Sequence, residues 1–177
     1  MTITNEVPTA VHIGADELPF VDIGDGSKLK VLQVKEREGL WIVENIFQNG
    51  YEVQRHRHTG PVYAFTVSGA WKYKEYPYVN RAGSFLYEPA NSVHTLQCIE
   101  DNTQVWFTIY GANLNLDADG NVESVIDGAL TLAGFIARKT AMIASSTNAW
   151  PVSTSDGNTA GTPSSFRCRS QLVHDRT

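Results

Sequence analysis

Three histidines carry most of the chemistry this chain can do. His56 and His58 stand two apart in residues 50–58 (GYEVQRHRH), and His94 closes residues 83–94 (GSFLYEPANSVH). Side chains alternate between the faces of a β-strand, so positions i and i+2 share a face; on a helix the two imidazoles would diverge. The spacing therefore predicts an extended segment through His56 and His58, with His94 brought in from a strand across the barrel to share one ion. Three ring nitrogens at about 2.0–2.2 Å occupy one face of an octahedron and leave the opposite positions open, as a catalytic site requires. Imidazoles accept iron, zinc, manganese or nickel, so the ligands alone do not choose the metal.

The elements that must position these residues read as β-structure. Turn signals recur at Gly24–Gly26, Gly39, Asn49–Gly50, Gly60–Pro61, Ser68–Gly69, Gly83, Pro89, Asp101–Asn102 and Asp119–Gly120, with short β-branched and aromatic runs between them. That punctuation predicts an all-β sandwich or barrel. Expected strands are 30–35, 40–48, 51–58, 63–67, 70–76, 84–88, 94–99, 103–110 and 122–124, with helix confined to the region after Ile126. Asp117 and Asp119 superficially suggest a calcium loop, but the other ligands and flanking helices are missing, and a β-turn with Asp119–Gly120 at its tip is the reading.

At 177 residues the chain has room for one domain with a real core. Residues 1–133 carry nine Lys/Arg against seventeen Asp/Glu, a net of −8; residues 134–177 carry five against two, a net of +3, giving −5 in all. An acidic body without a basic stripe argues against nucleic acid as a partner. No run of apolar residues is long enough for a membrane helix, and residues 1–8 lack a signal-peptide pattern, so the expectation is a cytoplasmic protein with no membrane partner. Cys98 and Cys168 belong to no CxxC pair, which argues against a disulfide framework or thiolate zinc site. From Thr140 to Ser165 the only charged residue is Asp156, and small polar residues dominate. The expected organisation is a domain over 1–133 and a low-complexity, disordered tail over 134–177, after a helix begun at Val125–Leu132 and left unfinished.

The pattern Gly50-x5-His56-x-His58-x4-Tyr63-x5-Gly69, followed by Gly83-x5-Pro89-x-Asn91-x2-His94, resembles the two signature motifs of the cupin superfamily. Those motifs normally carry Glu where Tyr63 stands, Gly where Asn91 stands, and Asn where Cys98 stands. The resemblance implies a double-stranded β-helix, the cupin jelly roll, over roughly residues 30–112. Residues 54–63, 69–78 and 87–94 further resemble the bacterial cupin dioxygenases of aromatic hydroxyketones. This closer resemblance implies an Fe(2+) enzyme, assembled as a homo-oligomer (tetramer or dimer), that uses O2 to cleave a small aromatic hydroxyketone between its carbonyl and hydroxymethyl carbons.

With Tyr63 in place of Glu, three neutral imidazoles leave the charge of a dication uncompensated, which favours an anionic, chelating substrate. A 2-hydroxyketone would fill two open positions through its carbonyl and hydroxyl oxygens, leaving a third for dioxygen. Tyr63 is expected to face the cavity as a catalytic residue that hydrogen-bonds bound oxygen. Trp71, Tyr73 and Glu75 are expected to share one strand face and to bind the aryl group. Glu88, beside Pro89, is the second catalytic candidate, either as base for the substrate hydroxyl or as a holder of a histidine or arginine. Arg55 and Arg57 point to the opposite face from the histidines. His12 and His174 read as surface residues, and Cys98 reads as a buried, inert thiol. Trp41, Phe47, Phe65, Phe85, Trp106 and Phe107 read as core.

Overall fold

Thirteen strands and one long helix follow one another in the computed structural model, which describes residues 10–148. The strands are β1 (Val21–Asp22), β2 (Lys28–Lys35), β3 (Leu40–Phe47), β4 (His56–His58), β5 (Val62–Ser68), β6 (Ala70–Tyr73), β7 (Asn80–Arg81), β8 (Phe85–Glu88), β9 (Val93–His94), β10 (Leu96–Cys98), β11 (Thr103–Tyr110), β12 (Asn113–Leu116) and β13 (Val122–Ile126). They form a six-stranded sheet in the order β1-β2-β3-β11-β5-β8, a four-stranded sheet β13-β12-β4-β9 and a three-stranded sheet β10-β6-β7. Every pairing is antiparallel. The predicted all-β, double-stranded β-helix is the observed architecture.

The core lies between the sheets, and on β5 and β11 it follows strict alternation. β11 buries Thr103, Val105, Phe107 and Ile109, and β5 buries Val62, Ala64 and Thr66. Of the six aromatics expected in the core, Trp41, Phe47 and Phe107 are buried there, whereas Phe65, Phe85 and Trp106 stand on the outer face, 40–66 % exposed. The reason is parity: each of those three occupies the off-beat position of a strand whose on-beat residues face inward.

Two turn residues bear directly on the histidine motifs. Gly69 has φ +72°, and a Cβ there would lie 2.3 Å from Thr103 Oγ1, so this turn admits only glycine. Asn91 has φ +68°, the left-handed conformation in which asparagine is the best-tolerated substitute for glycine, which explains its place in a motif slot that usually holds glycine.

Helix α1 (Gly128–Asn148) starts at Asp127, whose Oδ1 accepts the Leu130 N–H at 2.8 Å, an N-cap. It runs well past residue 134, so the expected tail boundary falls inside a helix. Phe135 explains why: it is 1 % exposed and belongs to the core cluster, anchoring α1 against the strands. Composition pointed away from this because one buried aromatic amid Ala, Ser and Thr leaves little amphipathic signal, and tertiary packing supplies what propensity does not. Residues 149–177, with Cys168 and His174, lie outside the described residues. No helix among the described residues is long and apolar enough to cross a membrane.

The segment expected as strand from 51 to 58 is continuous β-ladder only at His56–His58; before it the chain makes a single antiparallel bridge, Glu52 to Gln97, within an otherwise irregular connection. β12 escaped the sequence reading. It is four residues long, and although Asn113–Leu114–Asn115–Leu116 alternates, the run is short and the positions that line the cavity are the asparagines and not the leucines, so it did not stand out as a strand. The Asp117–Asn121 stretch closes the β12–β13 hairpin, with Asp117 Oδ1 accepting the Asn121 N–H at 2.8 Å.

Candidate metal centre

β4 lies between β9 and β12. His56 sits opposite His94 on β9 and opposite Asn115 on β12, while His58 sits opposite Asn113. His94 therefore arrives from the adjacent strand, not from across the barrel. All three imidazoles are buried, at 1–4 % exposure, and one ring nitrogen from each lies within 4.8 Å of the others. His58 Nε2 and His94 Nε2 are 3.0 Å apart. Arg55 and Arg57 face the other way, as alternation requires.

A carboxylate joins this group from the facing sheet. Glu88, 3 % exposed at the end of β8, places Oε2 at 2.7 Å from His58 Nε2 and 3.1 Å from His94 Nε2. Its other oxygen, Oε1, accepts a short hydrogen bond from the Tyr73 hydroxyl. Tyr73, 2 % exposed, also stacks on His94 with centroids 3.8 Å apart and planes at 19°. One tyrosine thus orients both the carboxylate and one imidazole. On the far side, His56 Nδ1 donates to the Gln54 carbonyl oxygen at 2.7 Å; this fixes the tautomer and leaves the other nitrogen's lone pair free.

The donor set fits a divalent cation. Two donors bound at right angles with bonds of about 2.1 Å lie about 3.0 Å apart, and the separations among His58, His94 and Glu88 are 2.7, 3.0 and 3.1 Å. Electron-rich nitrogens and oxygens this close repel unless protons or a cation lie among them. His56, His58, His94 and Glu88 could hold such an ion with three neutral ligands and one negative charge.

Ionisation states agree with that reading. Burial, the largest influence, lowers His56 to about 4; the Gln54 hydrogen bond opposes it and His58 and His94 add to it, so the ring is neutral at pH 7. Burial pushes Glu88 upward, but the hydrogen bonds from His58 and His94 outweigh it and hold the carboxyl well below its ordinary range. A group held so low is a weak base. Burial, reinforced by Glu88, raises the Tyr73 phenol well above 10, so it keeps the proton it donates.

The His56 shift has a stability consequence. Unfolded, the ring takes a proton near pH 6.5; folded, only near pH 4. The unfolded chain binds more protons between these values, so stability is full above about pH 6.5 and falls on acidification towards pH 4. Metal-free protein is expected to lose about 2–3 kcal/mol from this group between pH 7 and pH 4.5. Thermal melts in chelator check it; a melting temperature constant over that interval contradicts it.

The remaining expected site residues divide. Tyr63 does not enter the cavity. Its β5 neighbours Val62 and Ala64 point inward, while Tyr63 is 40 % exposed on the outer face, 5.4 Å from the Tyr87 ring. The beat carries through the turn at Gly60–Pro61, since His56, His58, Val62, Ala64 and Thr66 are all buried; position 63 therefore falls on the outward beat, and it is the motif slot, not the alternation, that points it inward. Trp71 is fully buried, but it fills the core, with Nε1 donating to Thr66 Oγ1 at 2.9 Å, and it does not line the cavity. Glu75 lies past the end of β6 in an exposed turn, where it accepts the Thr95 N–H at 2.9 Å. Of the expected aryl-binding trio, only Tyr73 reaches the site. Cys98 is buried and unpaired, its thiol directed at the Glu100 carbonyl oxygen.

A cavity of about 990 Å³ opens on this cluster. His56, His58, Tyr73 and Glu88 line it with their buried polar groups, and Trp41, Val43, Phe47, Val62, Phe107 and Ile109 supply apolar wall. Asn113 and Asn115 add amides beside the histidines; they share the inward face because β12 pairs in register with β4. The Asn-x-Asn spacing next to a His-x-His strand was the available sequence signal. Helix α1 contributes Leu130, Thr131, Gly134, Phe135 and Arg138, so residues past 133 help to enclose the site.

Solved structures share this architecture. An RmlC-like cupin protein from Ralstonia eutropha is 26% identical, with TM-score 0.71, over 75% of this chain and 88% of that one. A Ralstonia eutropha protein of unknown function with a cupin-like fold is 29% identical, with TM-score 0.69, over 81% and 91%. An acetylacetone dioxygenase from Acinetobacter johnsonii shares the fold at 21% identity and TM-score 0.65, over 78% and 99%. No curated protein sequence matches the chain. The ChrR cupin-like domain family matches residues 8–113, more than half of the chain and the whole of both histidine motifs, and the chain belongs to that family.

Proposed function

We propose that this cupin is an Fe(2+)-dependent dioxygenase that cleaves 2,4'-dihydroxyacetophenone between its carbonyl and hydroxymethyl carbons, giving 4-hydroxybenzoate and formate. The observation that carries the reading is the buried three-histidine cluster with a carboxylate beside it, lining a largely apolar-surfaced cavity large enough for a one-ring substrate. The resemblance of residues 54–63, 69–78 and 87–94 to the hydroxyketone-cleaving dioxygenases supplies the reaction class. The atoms balance without a further reductant, since both oxygen atoms of O2 end in the two carboxyl products.

A bound iron would supply Lewis acidity at the ketone and hydroxyl oxygens and a redox partner for dioxygen. The chain's own groups do the rest. Tyr73 fixes Glu88 through Oε1, and Gln54 fixes the His56 ring. Trp41, Val43, Phe47, Val62, Phe107 and Ile109 offer a substrate ring apolar surface to pack on. Asn113 and Asn115 line the same cavity as the histidines, where they could hydrogen-bond a substrate's oxygens. Because Glu88 supplies the negative charge that position 63 does not, Glu88 is assigned here as the fourth donor and not as the base.

A second reading, a regulatory domain that holds metal without turnover, has the ChrR-like family match in its favour. Purification under anaerobic conditions, iron loading and an oxygen electrode separate the two. Oxygen uptake is expected with 2,4'-dihydroxyacetophenone and slower or absent uptake with acetylacetone. No uptake with the hydroxyketone by iron-loaded protein defeats the dioxygenase reading; uptake with acetylacetone alone redirects it to β-diketones.

A further inference from the structure

β3 carries its inward side chains on alternate positions, and one of them is an amide. Trp41, Val43 and Phe47 are 2–4 % exposed, as alternation requires, and Asn45 stands on the same beat between Val43 and Phe47. Its cross-strand neighbours are Leu29 on β2 and Val105 on β11, both buried and apolar. Asn45 lines the cavity, and among the described residues its side chain has no hydrogen-bond partner. A polar group in such a wall is costly unless something pairs with it, and a leucine of similar size would carry no such cost.

Other polar groups of the same wall satisfy one another. Tyr51 donates its hydroxyl to Asp25 Oδ2 at 2.7 Å, and Ser27 donates to Asp25 Oδ1 through its N–H at 2.9 Å and its hydroxyl at 2.8 Å. Tyr51 also stacks on Phe47, the next inward residue after Asn45, with centroids 5.0 Å apart. A partner for Asn45 therefore has to come from within the cavity.

Its position suits the far end of a substrate. Across the six-stranded sheet Trp41 lies opposite Ile109, Ile109 opposite Val62, and Val62 opposite Glu88, so this row of inward residues ends at the metal donors. Asn45 lies two inward beats further along β3, about 13 Å in the strand direction. A metal–oxygen bond of about 2.1 Å, an aryl ketone and a hydrogen bond of about 2.8 Å together reach a distance of that order. The para position of the ring points most directly away from the chelating oxygens.

We infer that Asn45 is a specificity-determining residue, which holds the para hydroxyl of the aryl ring by a hydrogen bond at the far end of the cavity from the metal donors. The inference rests on the hydroxyketone-cleaving reading and names the group that tells one such ketone from another. The amide both donates to a phenol oxygen and accepts its proton, whereas a bare ring leaves it unpaired. A site built around a substrate hydroxyl discriminates against the analogue that lacks it, because the analogue strands a polar group of the protein.

Oxygen uptake with 2,4'-dihydroxyacetophenone and with 2-hydroxyacetophenone, in wild type and Asn45→Leu, tests it. The wild type is expected to favour the hydroxylated ketone in kcat/KM by more than about tenfold, and Asn45→Leu to bring that ratio down to about one to two. The melting temperature of the variant is expected to rise by a few degrees, since an apolar group replaces an unpaired amide, so a folding defect does not account for the lost preference. A wild type without preference, or a ratio that the substitution leaves unchanged, overturns the inference while the reaction assignment stands. If neither ketone drives uptake, the reaction assignment fails instead and binding decides the role of Asn45. Calorimetry of 4-hydroxybenzoate and benzoate on iron-loaded protein without oxygen is then expected to show a preference for the hydroxylated acid that Asn45→Leu loses, and equal affinities in the wild type overturn the inference.

Discussion

His94→Ala is expected to abolish both metal binding and turnover. His94 is 1 % exposed, and its Nε2 lies within hydrogen-bonding distance of His58 and Glu88, so the deletion removes a donor from the middle of the cluster. Loss of groups that only orient a ligand costs about 10–100-fold in metal affinity, and loss of the ligand itself costs more. Iron after anaerobic purification is expected to fall from about one per chain to a trace, with kcat/KM for the hydroxyketone down more than about 1000-fold. The deletion also leaves Tyr73 without its stacking partner, so the check is paired with a thermal melt. A folded His94→Ala protein with full iron and activity would contradict the assignment.

The largest effect on stability is expected at Phe135. It is a fully buried aromatic on α1, a helix that packs on the β1–β2 side of the six-stranded sheet and contributes one wall of the cavity. Phe135→Ala is expected to destabilise by about 3–5 kcal/mol, the range for buried aromatic truncations. In a domain of this size that lowers the melting temperature by roughly 10 °C. Because Phe135 also lines the cavity, KM should rise with the loss of the helix anchor. Denaturant unfolding measures the first effect and steady-state kinetics the second. A change below about 1 kcal/mol would return residues past 133 to the role of a loose tail.

The parts of this protein legible in its sequence are those governed by period two. His56 and His58 share a face because nothing interrupts β4 between them, and Thr103–Tyr110 emerged with its bounds intact because turn residues Asp101–Asn102 and Gly111 bracket a β-branched and aromatic run, although apolar residues on both faces hid the outward direction of Trp106. Tyr63 stands on the outward beat counted from His58, and the motif slot overrode that count. Legibility stopped at the turn after β6, which ended at Tyr73 and left Glu75 outside the strand. The pairing of β8 with β5, Val62 opposite Glu88, is a long-range fact that no local pattern reports. That pairing places a carboxylate beside the histidines.

The charge argument changes accordingly. A site of three neutral imidazoles would need its substrate to bring the only negative charge. With Glu88 present, the ion would keep one net positive charge, enough to favour an ionised hydroxyketone without depending on it. Tyr73 is what makes this workable, since its raised phenol holds the carboxylate in place without competing for a proton.

Where the carboxylate resides is therefore the central question, and anaerobic iron titration of two variants answers it most directly. Tyr63→Phe is expected to bind iron as tightly as the wild type, because Tyr63 stands on the outer face. Glu88→Gln, which keeps the size of the side chain and removes its charge, is expected to bind more than about 100-fold more weakly. Weakened binding in Tyr63→Phe together with wild-type affinity in Glu88→Gln would contradict the account.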